Sequence, residues 1–118
     1  MTLPLTPQRL AAVYEMLRAW PPFGRWGLPA AGEMKFHLAR TKRWDAAWWI
    51  DGGRHHIEVS ANRNGHMNTI VCSMAHEMIH VKQRKARTET SGVEHNEEFR
   101  RLAERVCRRY GWDFKQFI

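Results

Sequence analysis

The chain has 118 residues and a net charge of +7, and 43% of its residues are hydrophobic, which suits one domain with its own core. No apolar run approaches the roughly 20 residues of a membrane-spanning helix, and the N-terminal MTLPLTPQRL lacks the layout of an export signal. We therefore expect a single cytoplasmic domain over residues 1–118, monomeric and without membrane contact. Its two cysteines, Cys72 and Cys107, are too few for a disulfide framework and suit free, buried thiols.

The excess of positive charge favours attraction to polyanions such as DNA, RNA or an acidic protein surface. Much of it lies in two segments, one after residue 81 and one near the end of the chain. The basic residues of these segments are Lys82, Arg84, Lys85, Arg87, Arg100, Arg101, Arg105, Arg108 and Arg109. Solvated helix faces account for such charges equally well, so the charge by itself does not define a binding site.

The first predicted element is a helix that begins after Thr6. A threonine hydroxyl can cap free amide groups, and Pro7 at the first helical position loses no hydrogen bond. Apolar residues then recur at helical spacing, at Leu10, Val13, Tyr14 and Leu17. We expect the helix to end near Trp20, because the two prolines that follow cannot continue it.

Three short segments with the composition of β-strands come next, at residues 34–39, 45–50 and 54–60. The last two flank Asp51-Gly52-Gly53, which accepts the positive φ angles of a tight hairpin turn. We therefore expect a small three-stranded antiparallel sheet. Because side chains alternate along a strand, His55 and His56 must point to opposite faces of it.

Two further helices complete a predicted α+β fold. Asn68 or Thr69 can cap a helix that runs to about Arg87 and carries HEMIH at residues 76–80. A last helix should span roughly Glu94 to Tyr110 and end at Gly111. Its predicted buried stripe consists of Phe99, Leu102, Ala103, Val106 and Tyr110.

The HEMIH segment carries the strongest chemical signal in the chain. Residues four apart on a helix are separated by about 40° around the axis, so His76 and His80 can share one metal ion. Glu77 lies about 100° around from His76, where its carboxylate can hydrogen-bond a water on the open side of that ion. This arrangement suits a general base. The apolar stripe of the same helix is separate, at Val71, Met74, Met78 and Val81.

A catalytic zinc site needs a third protein ligand beside one water. His95, four residues before Phe99 on the predicted last helix, should face the core and is the main candidate. Carboxylates are sound alternatives, at Glu94, Glu97 and Glu98. Cys72 is unsuited, because three ligands in line on one straight helix cannot surround one ion.

The ligand types do not by themselves select one metal, and the residues after His80 rule out a longer zinc motif. Histidine ligands suit nickel, cobalt and copper as well as zinc, and zinc is favoured by its usual coordination. The elongated motif HExxHxxGxxH is excluded, because Gln83 and Ala86 stand where a glycine and a histidine are needed.

The segments HEMIH, EHNEEFRRLAERV and RHHIEVSANRN resemble those of the SprT-like zinc metallopeptidases, the family that includes the Spartan proteases of DNA–protein crosslinks. The likeness extends over about residues 6 to 111. It implies a minimal zincin-like fold, one Zn²⁺ ion bound by His76, His80 and His95, and Glu77 as the catalytic residue in peptide-bond hydrolysis. The implied substrates are proteins or peptides, including proteins on DNA, and this adds the nucleoid to the expected locations.

Two departures from the family pattern stand out. Asn96 occupies a position where the family commonly has glycine. The family's frequent C-terminal zinc ribbon is missing, since Cys107 is the only cysteine after the HEMIH helix. Any contact with DNA must therefore come from the basic surface or from a partner. Two other functions stay open, a nucleic-acid-binding module with a structural zinc and an adaptor that recognises a partner protein.

The sequence also suggests two binding surfaces. In zincins a sheet edge beside the active helix often receives substrate as an added strand, and residues 54–60 are the expected edge. Of the adjacent Trp48 and Trp49, one should pack on the core and the other should be partly exposed. An exposed tryptophan near Arg or Lys can stack on unpaired bases, with an interface or core role as the alternative.

Overall fold

A computed structural model describes residues 5–118. The prediction that the N-terminus is no export signal concerns residues 1–4 in part, and these lie outside the described residues. The elements in chain order are α1 (Pro7–Arg18), β1 (Lys35–Ala39), β2 (Ala46–Asp51), β3 (Arg54–Ser60), α2 (Met67–Ala86), α3 (Glu97–Tyr110) and α4 (Phe114–Phe117), with short 3₁₀ turns at Phe23–Arg25 and Ala31–Glu33. The α+β class is confirmed. Among the described helices, none combines the length and apolarity needed to span a membrane.

The start of α1 is as predicted. The Thr6 hydroxyl accepts a hydrogen bond from the backbone N–H of Arg9 at 3.1 Å, and Pro7 occupies the first turn. The helix ends at Arg18, two residues earlier than predicted. Its buried residues are the four predicted ones, Leu10, Val13, Tyr14 and Leu17.

The sheet is mixed, so the predicted antiparallel sheet is wrong. Its strand order is β1-β3-β2, with β3 antiparallel to β2 and parallel to β1. The hairpin through Gly52 and Gly53, both at positive φ, formed as expected. The third strand then inserts between the other two, because Ile57 and Val59 are fully buried and belong in the centre of the sheet.

The helices pack on one face of this sheet. Phe36, Trp48 and Ile57 are register partners and therefore share this face. Tyr14 of α1 contacts Phe36, and His80 of α2 stacks on Trp48. The hydrophobic core lies between this face and α1, α2 and α3. The opposite face, here called the open face, carries Lys35, His37, Ala47, Trp49, Asp51, Arg54, His56 and Glu58.

Helix α2 begins earlier than predicted. His66 is its cap residue, and Thr69, one of the two predicted caps, instead accepts the backbone N–H of His66 at 3.3 Å from inside the first turn. The helix ends at Ala86, where Arg87 adopts a left-handed conformation with φ of 57°. The HEMIH segment lies in the middle of α2, where the backbone is regular on both sides.

Helix α3 begins at Glu97, three residues later than predicted. Asn96 caps it by accepting the backbone N–H of Phe99 at 2.9 Å. The predicted end at Gly111 is confirmed, and this glycine has a φ of 72°. In the buried stripe, Cys107 replaces Tyr110, which is only partly buried. The short helix α4, capped by Asp113, was not predicted.

Candidate metal centre

Three histidines converge beside the core, and we call them the histidine cluster: His76, His80 and His95. One ring nitrogen from each lies within 4.8 Å of the other two, close enough to bind one metal ion. Nitrogens bound to one zinc ion at about 2.1 Å are about 3.4 Å apart in tetrahedral geometry. Small side-chain rotations are therefore enough to close the cluster around an ion.

A backbone carbonyl orients the first of these histidines. His76 donates its Nδ1–H to the carbonyl oxygen of Phe117 in α4 at 2.8 Å. This hydrogen bond selects the tautomer in which Nε2 carries the free lone pair, as is usual for histidines that bind metals. The sequence contained no pattern from which this long-range contact could have been predicted.

His95 supplies the clearest sign that a ligand belongs here. Its Nε2 atom is the one buried side-chain nitrogen or oxygen within residues 5–118 that has no hydrogen-bond partner. Leaving such an atom unpaired costs about 1–3 kcal/mol. A bound cation would give Nε2 a partner, so the donor set fits a metal ion.

Burial keeps the imidazoles in the form that metal binding needs. Desolvation, followed by the neighbouring His76 and His95, lowers the pKa of His80 to about 3. Desolvation also lowers the pKa of His76 and the pKa of His95. Neutral imidazoles are the metal-binding form, so protons compete weakly with a cation at neutral pH.

The loop before α3 presents His95. This residue lies one position before the cap residue Asn96, and the prediction that it belongs to the last helix is therefore wrong. Gln83 of α2 donates from Nε2 to Asn96 Oδ1 at 2.9 Å, and Asn96 Nδ2 donates to the Thr88 carbonyl at 2.8 Å. These bonds tie the loop to the helix that carries the other two ligands.

Phe99 forms an apolar floor under the cluster. Its ring centroid is 4.3 Å from that of His95, 4.7 Å from His80 and 5.0 Å from His76. The predicted relation between His95 and Phe99 is therefore present, although His95 lies outside the helix. Trp48 flanks the cluster from the sheet, with its ring 5.7 Å from that of His80.

Glu77 lies at the margin of the cluster. Its Oε2 atom is 4.0 Å from His76 Nε2, and the side chain is buried. Burial, followed by repulsion from Glu94, raises the pKa of Glu77 to about 8. A desolvated carboxyl beside neutral imidazoles in a cleft is typical of functional sites.

The alternative carboxylate ligands do not join the cluster. Glu94 Oε1 is 3.9 Å from His95 Nε2, but the Glu94 side chain is 81% exposed. Glu98 pairs with Arg101 on the surface of α3. Among the described residues, the group with metal-binding spacing contains none of the three glutamates Glu94, Glu97 and Glu98.

Both cysteines are free thiols, as predicted; Cys107 is also buried as predicted, whereas Cys72 is only partly buried. Cys72 lies one turn before His76 and lines a cavity of about 580 Å³ beside it. It is not part of the group with metal-binding spacing. Burial raises the pKa of the Cys72 thiol and so disfavours the thiolate that a metal ligand must be. Burial likewise raises the pKa of Cys107 to about 11.

Two cavities adjoin at the cluster, with volumes of about 580 Å³ and about 380 Å³. Glu77 and Glu94 line both of them. His76 and His95 border the larger cavity, and His80 borders the smaller one. A ligand that extends through both cavities would therefore pass the three imidazoles and the Glu77 carboxyl.

Strand β2 is an open edge of the sheet beside these cavities. Ser60 donates its backbone N–H to the Asp45 carbonyl at 2.9 Å, so these residues form a hydrogen-bonded pair of the antiparallel ladder. Because such pairs alternate, the backbone groups of Ala46, Trp48 and Ile50 point away from β3. The expectation that residues 54–60 form the substrate-binding edge is wrong, since β3 is the central strand.

The other four histidines lie outside the cluster, as predicted. His55 accepts a hydrogen bond from Trp48 Nε1 at 3.0 Å, and the exposed His66 begins α2. On the open face, His37 and His56 are hydrogen-bonded to each other at 2.8 Å, and we call them the histidine pair. His55 and His56 therefore point to opposite faces of the sheet.

Comparison of the chain with protein-family models, with curated proteins and with solved structures found no match. The function is therefore inferred from the chemistry of the residues in the site.

Proposed function

We propose that this protein is a zinc-dependent endopeptidase of the SprT-like type. The observation that carries the proposal is the convergence of three imidazoles, one with an unpartnered buried nitrogen, next to a buried carboxyl and an accessible cavity. Three histidines and a water are a common ligand set for catalytic zinc. Zinc is therefore the expected metal, with cobalt and nickel as the alternatives to measure.

The roles of the residues follow from this arrangement. A zinc ion held by His76, His80 and His95 would act as a Lewis acid and lower the pKa of a bound water. Glu77 accepts the proton of the attacking water at its carboxylate and delivers it to the nitrogen of the departing amine. Phe117 keeps His76 in the tautomer that binds the ion.

The edge of β2 supports a peptide as the substrate. An extended chain can add to the sheet through the outward backbone groups of Ala46, Trp48 and Ile50, and main-chain hydrogen bonds require no particular sequence. The cavities on either side of Glu77 would then receive successive side chains of that peptide. The net charge of +7 favours substrates associated with DNA, which is part of the same proposal.

A nucleic-acid-binding module with a structural zinc is the second candidate function. A structural zinc site is closed by four protein ligands. In the described part of the chain, the group with metal-binding spacing has three members and borders a cavity of about 580 Å³. This geometry favours the endopeptidase. An adaptor that binds a partner protein would need neither the metal nor Glu77.

Substitution of Glu77 by Gln tests the proposal. The Glu77→Gln variant should bind the metal as the wild type does and should cleave casein or histone at least about 100-fold more slowly, because the general base is lost. Metal content by atomic emission and digestion followed on gels measure the two effects. Glu104→Gln, on the exposed surface of α3, is the matched control and should cleave normally.

Two results would contradict the proposal. One is full activity of Glu77→Gln, and the other is digestion that continues after a chelator has removed the metal. An inactive wild type that binds one zinc ion tightly would support the structural-zinc module instead.

A further inference from the structure

The open face of the sheet carries a flat aromatic layer. His37 Nε2 and His56 Nδ1 are 2.8 Å apart, their ring centroids are 5.1 Å apart, and their planes differ by 9°. These values place the two imidazoles edge to edge in one plane. Trp49 lies nearly parallel to both rings, at centroid distances of 5.3 Å and 5.2 Å, as in offset stacking.

A second tryptophan extends this layer toward the loop after β1. Trp44 is 42% exposed, and its Nε1 donates a hydrogen bond to Glu58 Oε2 at 3.1 Å. Glu58 belongs to the open face, whereas Trp44 also lines the smaller cavity beside His80, so the Trp44 ring lies at the margin of the open face. The open face therefore presents the indole of Trp49, with that of Trp44 at its margin.

Positive charge surrounds the layer at both ends. Lys35 and Arg54 lie on the open face itself, near the hairpin, and three more exposed cations lie in the loop at the other end. The five cations are Lys35, Arg40, Lys42, Arg43 and Arg54, and within the described residues none of them forms an ion pair. The acidic side chains on the open face are Asp51 and Glu58, and Asp45, which follows Trp44, is paired with Arg63, so the surface has an excess of positive charge. By contrast, Arg101 and Arg108 on α3 are paired with glutamates.

We propose that the open face binds single-stranded nucleic acid, with unpaired bases stacked on Trp49 and Trp44 and phosphates bound by the surrounding cations. Stacking on an indole needs a base whose face is free, whereas the bases of a duplex already stack on one another. Lys35 and Arg40 are five residue steps apart, which is about 17 Å in extended chain and matches the length of a few nucleotides. The aromatic layer favours this ligand over an acidic peptide, which has charge but no bases.

This inference does not rest on the proposed peptidase function. Trp48 contacts the histidine cluster and its neighbour Trp49 belongs to the open face, so Trp49 and the cluster lie on opposite sides of the sheet. Trp44 also lines the smaller cavity beside His80, so Trp49 is the residue that separates the two functions. Loss of nucleic-acid binding in Trp49→Ala would leave casein cleavage intact, and loss of cleavage in Glu77→Gln would leave nucleic-acid binding intact.

Fluorescence anisotropy with a labelled oligothymidylate tests the proposal. The wild type should bind this strand more tightly than a duplex of equal length, and Trp49→Ala should weaken binding about tenfold. The double variant Lys35→Gln/Arg54→Gln should reduce the slope of log affinity against log salt by about 1.4, because two phosphate contacts are lost. The matched control Arg105→Gln/Arg109→Gln removes two exposed charges from α3 and should leave binding and slope unchanged.

Several results would overturn the proposal. The first is an equal loss of binding in the control variant, and the second is equal affinity for duplex and single strand. The third is displacement of the oligothymidylate by polyglutamate at the same concentration of negative charges. If circular dichroism shows that Trp49→Ala does not fold, the exposed double variant and its control decide the question. The affinity for labelled single-stranded RNA of the same length, compared with that for the oligothymidylate, then shows whether the open face prefers RNA or DNA.

Discussion

The two groups of histidines in this protein, one on each side of the sheet, show how surroundings decide what an imidazole can do. In the histidine pair, His37 and His56 share a hydrogen bond, and the other nitrogen of His56 is 3.3 Å from the carbonyl of Asp51. In the histidine cluster, Nε2 of His95 is buried without a hydrogen-bond partner. Three of the four ring nitrogens of the pair are hydrogen-bonded, whereas the cluster keeps a nitrogen on each ring for a cation.

The supporting residues differ in the same way. Beneath the cluster, the apolar ring of Phe99 offers no competing hydrogen bond, and the Phe117 carbonyl accepts from Nδ1 of His76, which would leave Nε2 of that ring to a cation. A ligand set becomes a metal site when its neighbours satisfy the outer nitrogens and leave the inner ones free. Substitutions in the cluster and in the pair should therefore have different effects.

The largest expected effect is on metal binding. His95→Ala removes one ligand and should weaken metal binding at least about 100-fold. Even a change to a residue that only hydrogen-bonds a ligand lowers metal affinity about 10–100-fold. His56→Ala, the matched change in the pair, should leave the affinity unchanged. Competition with a chromophoric chelator measures both values, and equal weakening in the two variants would contradict the assignment.

Removal of the metal should destabilise the protein next most strongly. A cation at about 100 times its dissociation constant stabilises the fold by about 2.7 kcal/mol, because it binds the folded chain only. For a domain of this size that corresponds to a fall in Tm of roughly 10 °C in chelator, measured by differential scanning fluorimetry. The double variant His37→Ala/His56→Ala should show the same fall in Tm when the chelator is added. If the chelator no longer lowers the Tm of this variant, the metal is bound by the pair.

The contact between α4 and His76 should contribute a smaller effect. Asp113→Ala removes the cap that accepts the backbone N–H of Lys115 at 2.8 Å, so the Phe117 carbonyl is held less firmly. Metal affinity should fall about tenfold, as it does when other residues that hydrogen-bond a metal-binding histidine are changed. Asp113→Asn keeps a capping oxygen and should bind the metal normally in the same chelator competition. Normal binding by the alanine variant would show that α4 does not orient His76.

The smallest expected effect concerns the loop that carries His95. Asn96→Ala removes the cap of α3 and the bond to Thr88, and it should lower the free energy of unfolding by about 1–2 kcal/mol. Asn96→Asp keeps the cap but loses the Nδ2 donor, so it should fall between the alanine variant and the wild type. Urea denaturation measures the three values, and no change in the alanine variant would refute the role of Asn96.

Much of the secondary structure could be predicted because the signals are local. The Thr6-Pro7 start of α1, the hairpin at Gly52-Gly53 and the end of α3 at Gly111 each depend on a few neighbouring residues. The three strands were located to within one residue. The start of α3 was missed because the position of Asn96 depends on a distant residue: Gln83 of α2 donates a hydrogen bond to its side-chain oxygen.

The sequence by itself determined that His76 and His80 share one side of a helix with Glu77 next to them, because helical geometry is the same wherever a helix forms. Only the tertiary structure decided that β3 is the central strand and β2 the open edge, that His95 reaches the cluster from a loop, and that Phe117 binds His76. These relations join residues far apart in the chain, and they depend on which surfaces bury the most apolar area together. No local sequence pattern predicts these contacts, because the most stable packing depends on all residues of the core together.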